Sequence, residues 1–472
     1  MIERLKSYSA MKESGVRWTG EVPAHWVTLP LKRWVKMNSD VLPETTSPDY
    51  EFQYLDIGSV GTGTLTDKPQ RLRFGTAPSR ARRIARVDDT IVSTVRTYLK
   101  AVYYINGNAD GLVCSTGFAV LTPRRGTEPK FVSYVVQSKD FTDRVTADSV
   151  GIAYPAIAET RLGSFEVVVP PREEQAGIVR FLGHADRRIR CYIRAKQKLI
   201  ALLEEQKQAI IHRAVTKGLD ASVRLKPSGV EWLGDVPEHW EVLPAKGFFR
   251  EVDERSETGS EELLSVSHIT GVTPRSEKNI TMFMAASNVG HKICRSGDLV
   301  INTMWAWMAA LGIAKQTGVV SPSYAVYRPH ASSKLLGEYA DLVLRTGPYK
   351  SEYLCRSTGI RLSRLRLYPE QFLRIKILCP PLEEQLAIID TLTKETAEAR
   401  RAIDIANREI VLLREYRTRL ISDVVTGKLD VREASARLPE EVETPEPLDE
   451  PDVEADESDT EEPLATVEAA EA

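Results

Sequence analysis

Between Ile178 and Ile210 long or apolar side chains recur in steps that alternate four and three: Ile178, Leu182, Ala185, Ile189, Tyr192, Lys196, Leu199, Leu203, Gln206 and Ile210. That spacing is the seam of a coiled coil rather than the broad face of a globular helix. Pro170-Pro171-Arg172-Glu173-Glu174-Gln175 opens the stretch and Ala214-Val215-Thr216-Lys217-Gly218-Leu219-Asp220 closes it. Proline near the first turn, carboxylates behind it and glycine past the end are the marks of one helix. About 45 residues at roughly 1.5 Å each predict a rod about 65–70 Å long. The pattern then recurs 210 residues later without a gap, from Pro380-Pro381-Leu382-Glu383-Glu384-Gln385 to Val424-Val425-Thr426-Gly427-Lys428-Leu429-Asp430, with 18 of 51 positions identical. A second uninterrupted helix is predicted from Leu382 to about Val425.

A second signature repeats too. Ser14-Gly15-Val16-Arg17-Trp18-Thr19-Gly20-Glu21-Val22-Pro23-Ala24-His25-Trp26, ending in Leu29-Pro30, returns as Ser228-Gly229-Val230-Glu231-Trp232-Leu233-Gly234-Asp235-Val236-Pro237-Glu238-His239-Trp240, ending in Leu243-Pro244. Eleven of these seventeen positions match. Gly and Pro at this density exclude a helix. An entry loop pinned by its tryptophans is expected. No nucleophile or metal-ligand partner stands near His25 or His239 in sequence, so both read as structural rather than catalytic.

From Val27 to Val169 short β-rich runs alternate with turns: Gln53–Ile57, Thr90–Val95, Ala101–Ile105, Phe118–Leu121 and Phe165–Val169, with one helix predicted across Lys130–Asp140. Val242–Leu378 shares the plan but little of the sequence. Asp298–Thr303 echoes Asp89–Thr94, and Ser321–Pro329 echoes Ser115–Pro123. The fold class expected is α+β: two mixed α/β domains with two long helices between them, arranged as a tandem repeat with pseudo-two-fold symmetry. The helices should pair antiparallel, since a parallel pair would need a connection running back along the whole rod. The boundaries read are a first domain with its entry loop over 1–170, a helix over 171–218, linker, entry loop and second domain over 219–380, a second helix over 381–427, and a tail over 428–472.

Charge sharpens the picture. The net charge of −3 divides into a body of +12 and a tail, from Pro439 on, with fifteen carboxylates and no Lys or Arg. The aromatic-free, Pro-rich tail reads as disordered, and the basic body suggests a polyanionic partner. Base reading needs Arg, Lys, Ser and aromatic side chains on exposed loops. The first domain offers Arg71, Arg73, Arg80, Arg82, Arg83, Arg96, Tyr98 and Lys100. The second offers Lys292, Arg295, Trp305 and Trp307, then Arg361, Ser363, Arg364 and Arg366; Trp305 and Trp307 read equally as core. Two unlike heads on a two-fold frame suit a duplex target with two different half-sites. Five scattered cysteines with no C-x-x-C pair fit a reducing cytoplasm. No eighteen-residue apolar run suggests a membrane span.

Two copies of G-V-x-W-x-G-x-V-P-x-H-W and two of P-P-x-E-E-Q heading a long helix resemble the specificity subunit of type I restriction–modification enzymes. The resemblance covers Ser14 to Asp430. It implies that Val27–Val169 and Val242–Leu378 are target-recognition domains, each reading half of a split DNA sequence, and that the helices are conserved spacers. It implies no catalytic centre and no cofactor in this chain. The partners implied are double-stranded DNA, two methyltransferase subunits and two restriction subunits. The acidic tail departs from the family pattern. The residues agree on catalysis: there is no G-x-x-x-x-G-K-[ST] loop, no Asn/Asp-Pro-Pro-Tyr and no H-E-x-x-H. Two other readings stay open. One is a stand-alone nuclease with a hidden metal site, against which Glu166 is followed by Val-Val-Val rather than by a nearby Lys. The other is a structural coiled-coil protein, which leaves the basic body and the divergent heads unexplained.

Overall fold

A computed structural model describes residues 5–16, 19–107, 109–152, 154–277, 287–360 and 364–439. It divides into two compact units. The first runs to Lys196 and resumes at Asn407; the second is Gln197–Ala406. Each unit thus holds one entry loop, one mixed domain, the start of one long helix and the end of the other.

In the first unit a four-stranded antiparallel sheet is ordered Val35–Met37, Phe118–Pro123, Thr90–Ser93, Val102–Tyr104. The second unit repeats it as Phe249–Val252, Ala325–Pro329, Leu299–Ile301, Leu311–Ile313. In each unit the strand before the long helix pairs antiparallel with the strand that follows the entry loop: Glu166–Val169 with Val27–Pro30, and Lys376–Cys379 with Glu241–Pro244. The units differ in the remaining strands. The first has a second sheet ordered Gln70–Arg73, Glu51–Leu55, Leu112–Ser115, Ala81–Ile84, whereas the second has the pairs Leu264–Ser267 with Gly271–Pro274 and Lys292–Cys294 with Gly318–Val320.

The helix expected over Lys130–Asp140 is two helices, Pro129–Gln137 and Lys139–Ala147. Ser138 divides them. Its side chain accepts a hydrogen bond from the Phe141 amide, an N-cap that starts a fresh helix. The first long helix is continuous over Arg172–Lys217. The second is not: Leu382–Glu395 and Ala397–Val425 are separated by Thr396. The buried Thr396 hydroxyl donates to the Leu392 carbonyl, 2.7 Å away, and such back-bonding bends a helix.

In the first unit the two long helices run antiparallel. Asp186 binds Arg417, while Lys196, ten residues further along, binds Glu409, eight residues back. Of the expected seam, Ile178, Leu182, Ala185 and Ile189 are buried, Lys196, Leu203 and Ile210 are half-buried, and Tyr192 and Leu199 lie exposed. A strict two-helix seam therefore overstates the burial. The Asp186 carboxyl is pushed up by burial, but Arg417 and Arg190 outweigh this and hold it below the ordinary carboxylate range.

The repeated motifs meet one another. Glu174, in the first turn of its helix, accepts hydrogen bonds from the Tyr8 hydroxyl and from Trp26 Nε1 at 3.2 Å, and His25 Nε2 lies 2.7 Å from it. Glu384 receives Trp240 Nε1 at 3.0 Å and His239 Nε2 at 2.7 Å. The histidines and tryptophans thus clamp each entry loop to a helix start. The neighbouring glutamines carry out a second repeated task. Gln175 donates to the Pro170 carbonyl and accepts from the Glu128 amide, just before the helix at Pro129. Gln385 donates to Pro380 and Lys334 and accepts from Leu336, just before the helix at Gly337. The helix ends close the clamps. Gly427 (φ +74°) lies where a Cβ would stand 2.2 Å from Pro23 Cδ and 3.3 Å from the Trp26 ring. Gly218 (φ +77°) takes the same place beside Trp240 and Glu384.

The tail boundary at 428 is too early. Asp430 bridges to Lys6, Val431 is buried, and Arg432–Ala436 is a helical turn. The acidic stretch from Glu440 lies outside the described residues, so its expected disorder goes without a structural counterpart.

Candidate nucleic-acid interface

One surface is built twice. After the central strand of each antiparallel sheet the chain forms a 3-10 turn: Thr97–Leu99 in the first unit and Ala306–Met308 in the second. The segments align at an offset of 209 residues, Arg96-Thr97-Tyr98-Leu99-Lys100 against Trp305-Ala306-Trp307-Met308-Ala309. Lys100 and Ala309, which end the turns, are both left-handed (φ 49° and 61°), and so is Arg96 (φ 52°). Non-glycine residues held there mark backbone fixed by its surroundings.

Beside each turn stands a small hairpin that follows the domain's last long helical segment. In the first unit Val150 and Ala156 exchange backbone hydrogen bonds at 2.9 and 3.0 Å, and Ile157 N donates to Thr94 O. In the second Thr358 and Arg366 do the same at 3.0 and 2.9 Å, and Leu367 N donates to Thr303 O. Thr97 Oγ1 donates to Ser149 Oγ and ties turn to hairpin. The Arg96 guanidinium lies 4.9 Å from the centre of the Tyr154 ring, a cation–π contact. Tyr98, Val150, Ile152 and Tyr154 are exposed beside it.

The basic residues expected at an interface fall into several places. Lys100 binds Asp143 at 2.5 Å, and Lys139 shares that carboxylate. Arg71 and Arg73 stand on the edge strand Gln70–Arg73, both paired with Glu51. Arg82 and Arg83 stand on the opposite edge of the same sheet. Arg82 lies over the Phe74 ring at 4.6 Å and Arg83 binds Glu159. Arg80 is exposed just before that strand. In the second unit Arg295 is paired with Glu254, and Lys292 is buried 3.6 Å from Asp253, so Lys292 serves the fold. Trp305 and Trp307 are half-buried rather than core, stacked at 5.8 Å and 26°, and Trp307 Nε1 has no hydrogen-bond partner. Arg364 is exposed and Arg366 holds the hairpin through its backbone. Arg361 and Ser363 lie outside the described residues.

The structure therefore brings Arg96 against Tyr154, with Tyr98 on the same turn, pairs Lys100 with Asp143, and leaves Arg71, Arg73, Arg82 and Arg83 on two separate sheet edges. The hairpin residues were not singled out in the sequence. The available signal was a second short repeat, Ser149-Val150-Gly151-Ile152 against Ser357-Thr358-Gly359-Ile360. Among the described residues no group of three or more His, Cys, Asp or Glu side chains could hold a metal ion, and no helix is long and apolar enough to cross a membrane.

The fold is one found in type I restriction–modification systems. It superposes on a chain from the solved assembly of a type I restriction–modification system with a TM-score of 0.61 and 21% identity, over 86% of this chain and 99% of that one. Two further matches are the HsdS subunit from Thermoanaerobacter tengcongensis (TM-score 0.40, 22% identity, 86% and 98% covered) and the type I S subunit from M. genitalium (TM-score 0.34, 14% identity, 86% and 96% covered). No family model matches the chain.

Proposed function

We propose that this chain is a non-catalytic specificity subunit that reads a bipartite, asymmetric DNA sequence and scaffolds methyltransferase and restriction subunits. The observation that carries the reading is the duplicated surface. One backbone frame, a 3-10 turn and a hairpin joined at the strand end by Ile157 N to Thr94 O or Leu367 N to Thr303 O, appears in both units with unlike side chains, Arg-Thr-Tyr-Leu-Lys in one and Trp-Ala-Trp-Met-Ala in the other. A shared frame with different contents suits two readers of different half-sites. Arg and Lys in the first unit meet base edges and phosphates; stacked Trp305 and Trp307 in the second offer apolar contact. The basic body supplies the sequence-independent share of affinity.

Exposed apolar side chains support a scaffold role. The helical segments of the first unit present Tyr192, Val411 and Leu412, and those of the second present Leu199, Leu202 and Ile405. Several exposed apolar side chains on the same helical segments suit a partner protein. Exchange of residues 27–169 for the corresponding domain of a relative, within the assembled methyltransferase, tests the reading. One half of the methylated sequence should change and the other persist. A change in both halves, or in neither, overturns it.

A further inference from the structure

The two hairpins carry a feature that base reading does not require. Ile152 is 104% exposed and Ile360 98%, and Val150 beside the first is 80% exposed. A single exposed apolar residue needs no explanation. Two at equivalent places, each two residues past a backbone-paired position, do. Around them the units have diverged, Arg96 facing Trp305 and Lys100 facing Ala309 in the alignment, yet Ser-x-Gly-Ile is kept.

The glycine before each isoleucine is fixed in place. Gly151 has φ +119°, which side chains rarely adopt, and an added Cβ would stand 3.2 Å from the Tyr154 carbonyl. Gly359 leaves no room, since an added Cβ would lie 2.3 Å from the Arg364 carbonyl. The first hairpin's base is fixed by the Val150–Ala156 pair, by the Val95–Ala156 bridge and by Ser149 Oγ donating to Val145 O at 2.7 Å. The surroundings favour a polyanion. Asp143 is shared by Lys100 and Lys139, and Asp148 by Arg144 and Arg161, so with Arg96 five cations stand against two carboxylates.

We propose that Ile152, and by the repeat Ile360, is a wedge that enters the DNA and unstacks a base step, the same in both heads whatever bases each reads. Apolar wedges between base steps are a general device for deforming a duplex, and isoleucine is among the residues that serve. The division of labour follows from the repeat: the divergent 3-10 turns discriminate, and the shared isoleucines deform. Ile152 is then a positioning residue, and the inference rests on the specificity-subunit reading above.

The test uses the full chain assembled with its methyltransferase subunits, on duplexes carrying 2-aminopurine in turn at each position outside the methylated adenines. Binding should raise the fluorescence at one step in each half-site. Ile152→Ser should abolish the rise in the first half only and weaken binding roughly tenfold, with the methylated sequence unchanged. Ile152→Met should restore both the rise and the affinity, which a loss of folding or charge would not allow. No rise at any step in the unaltered complex, a rise that survives Ile152→Ser, or an altered recognised base overturns the wedge. Those outcomes leave the specificity reading standing. That reading fails separately, if the unaltered complex binds all duplexes alike.

Discussion

Glu174 and Glu384 hold the same place in the repeat, yet their loss should not cost the same. Glu174 has a side chain only 7% exposed and is bonded by Tyr8, His25 and Trp26. Burial, reinforced by the Glu174 carboxylate, pushes the Tyr8 phenol well above its usual range, so it stays a donor at every working pH. Glu174→Ala strands the Tyr8 hydroxyl and the Trp26 indole, which are buried at 6% and 0% exposure. An unsatisfied buried donor costs about 1–3 kcal/mol, and the two together should cost about 3–5 kcal/mol. Glu384 is 25% exposed and serves two donors, one of them on the exposed His239, where water substitutes. Its loss should cost about 1–2 kcal/mol on the same scale. Because two units need not unfold together, one bulk transition is a poor readout. Hydrogen exchange followed by mass spectrometry isolates each entry loop, and protection of residues 19–30 should fall far more in Glu174→Ala than that of residues 231–244 in Glu384→Ala. Equal losses, or a Glu174→Ala loop as protected as the unaltered one, would refute the clamp.

Other expectations follow from the helix pair and its ends. Asp186→Asn should cost about 2–3 kcal/mol, below the usual figure for a broken buried pair because Arg417 and Arg190 keep 17% and 26% exposure; thermal melting checks it. Since the folded carboxyl of Asp186 is held below its ordinary value of 3.8, its contribution is complete above that value and disappears as pH falls through the depressed one. An acid titration should therefore show exchange protection of residues 178–193 falling below about pH 4 in the unaltered chain, and that step missing in Asp186→Asn. Gly427→Ala should destabilise more than Gly218→Ala, since the first meets the Pro23 ring at 2.2 Å while the second meets the movable Glu384 side chain at 2.9 Å; equal melting points would refute this. Ala substitution of Arg96 should alter recognition in one half-site only, read as a change in the methylated sequence.

The frame was legible because it is written twice. Periodicity, proline and glycine placed the first long helix over 171–218, and it spans Arg172–Lys217. The Trp and His repeat marked an entry loop, although nothing in the sequence paired it with Glu174 and Glu384, some 150 residues away. The break at Thr396 was hidden because a threonine within a strong helical pattern does not show where its hydroxyl will turn. The interface was only partly legible. Arginine clusters were visible, but a one-dimensional list cannot tell Arg71, paired with Glu51 on a sheet edge, from Arg96, lifted by a left-handed backbone against Tyr154. The hairpins passed unnoticed because four residues carry no periodicity, and their exposure depends on contacts with a distant strand.

The central claim is that two unlike readers on one repeated frame address one duplex. Mapping methylated bases across the host genome, with and without this chain, tests it most directly. The account predicts a gapped, asymmetric motif whose methylation disappears with the chain. Loss of an uninterrupted or palindromic motif, or methylation that is unaffected by removing the chain, would contradict it.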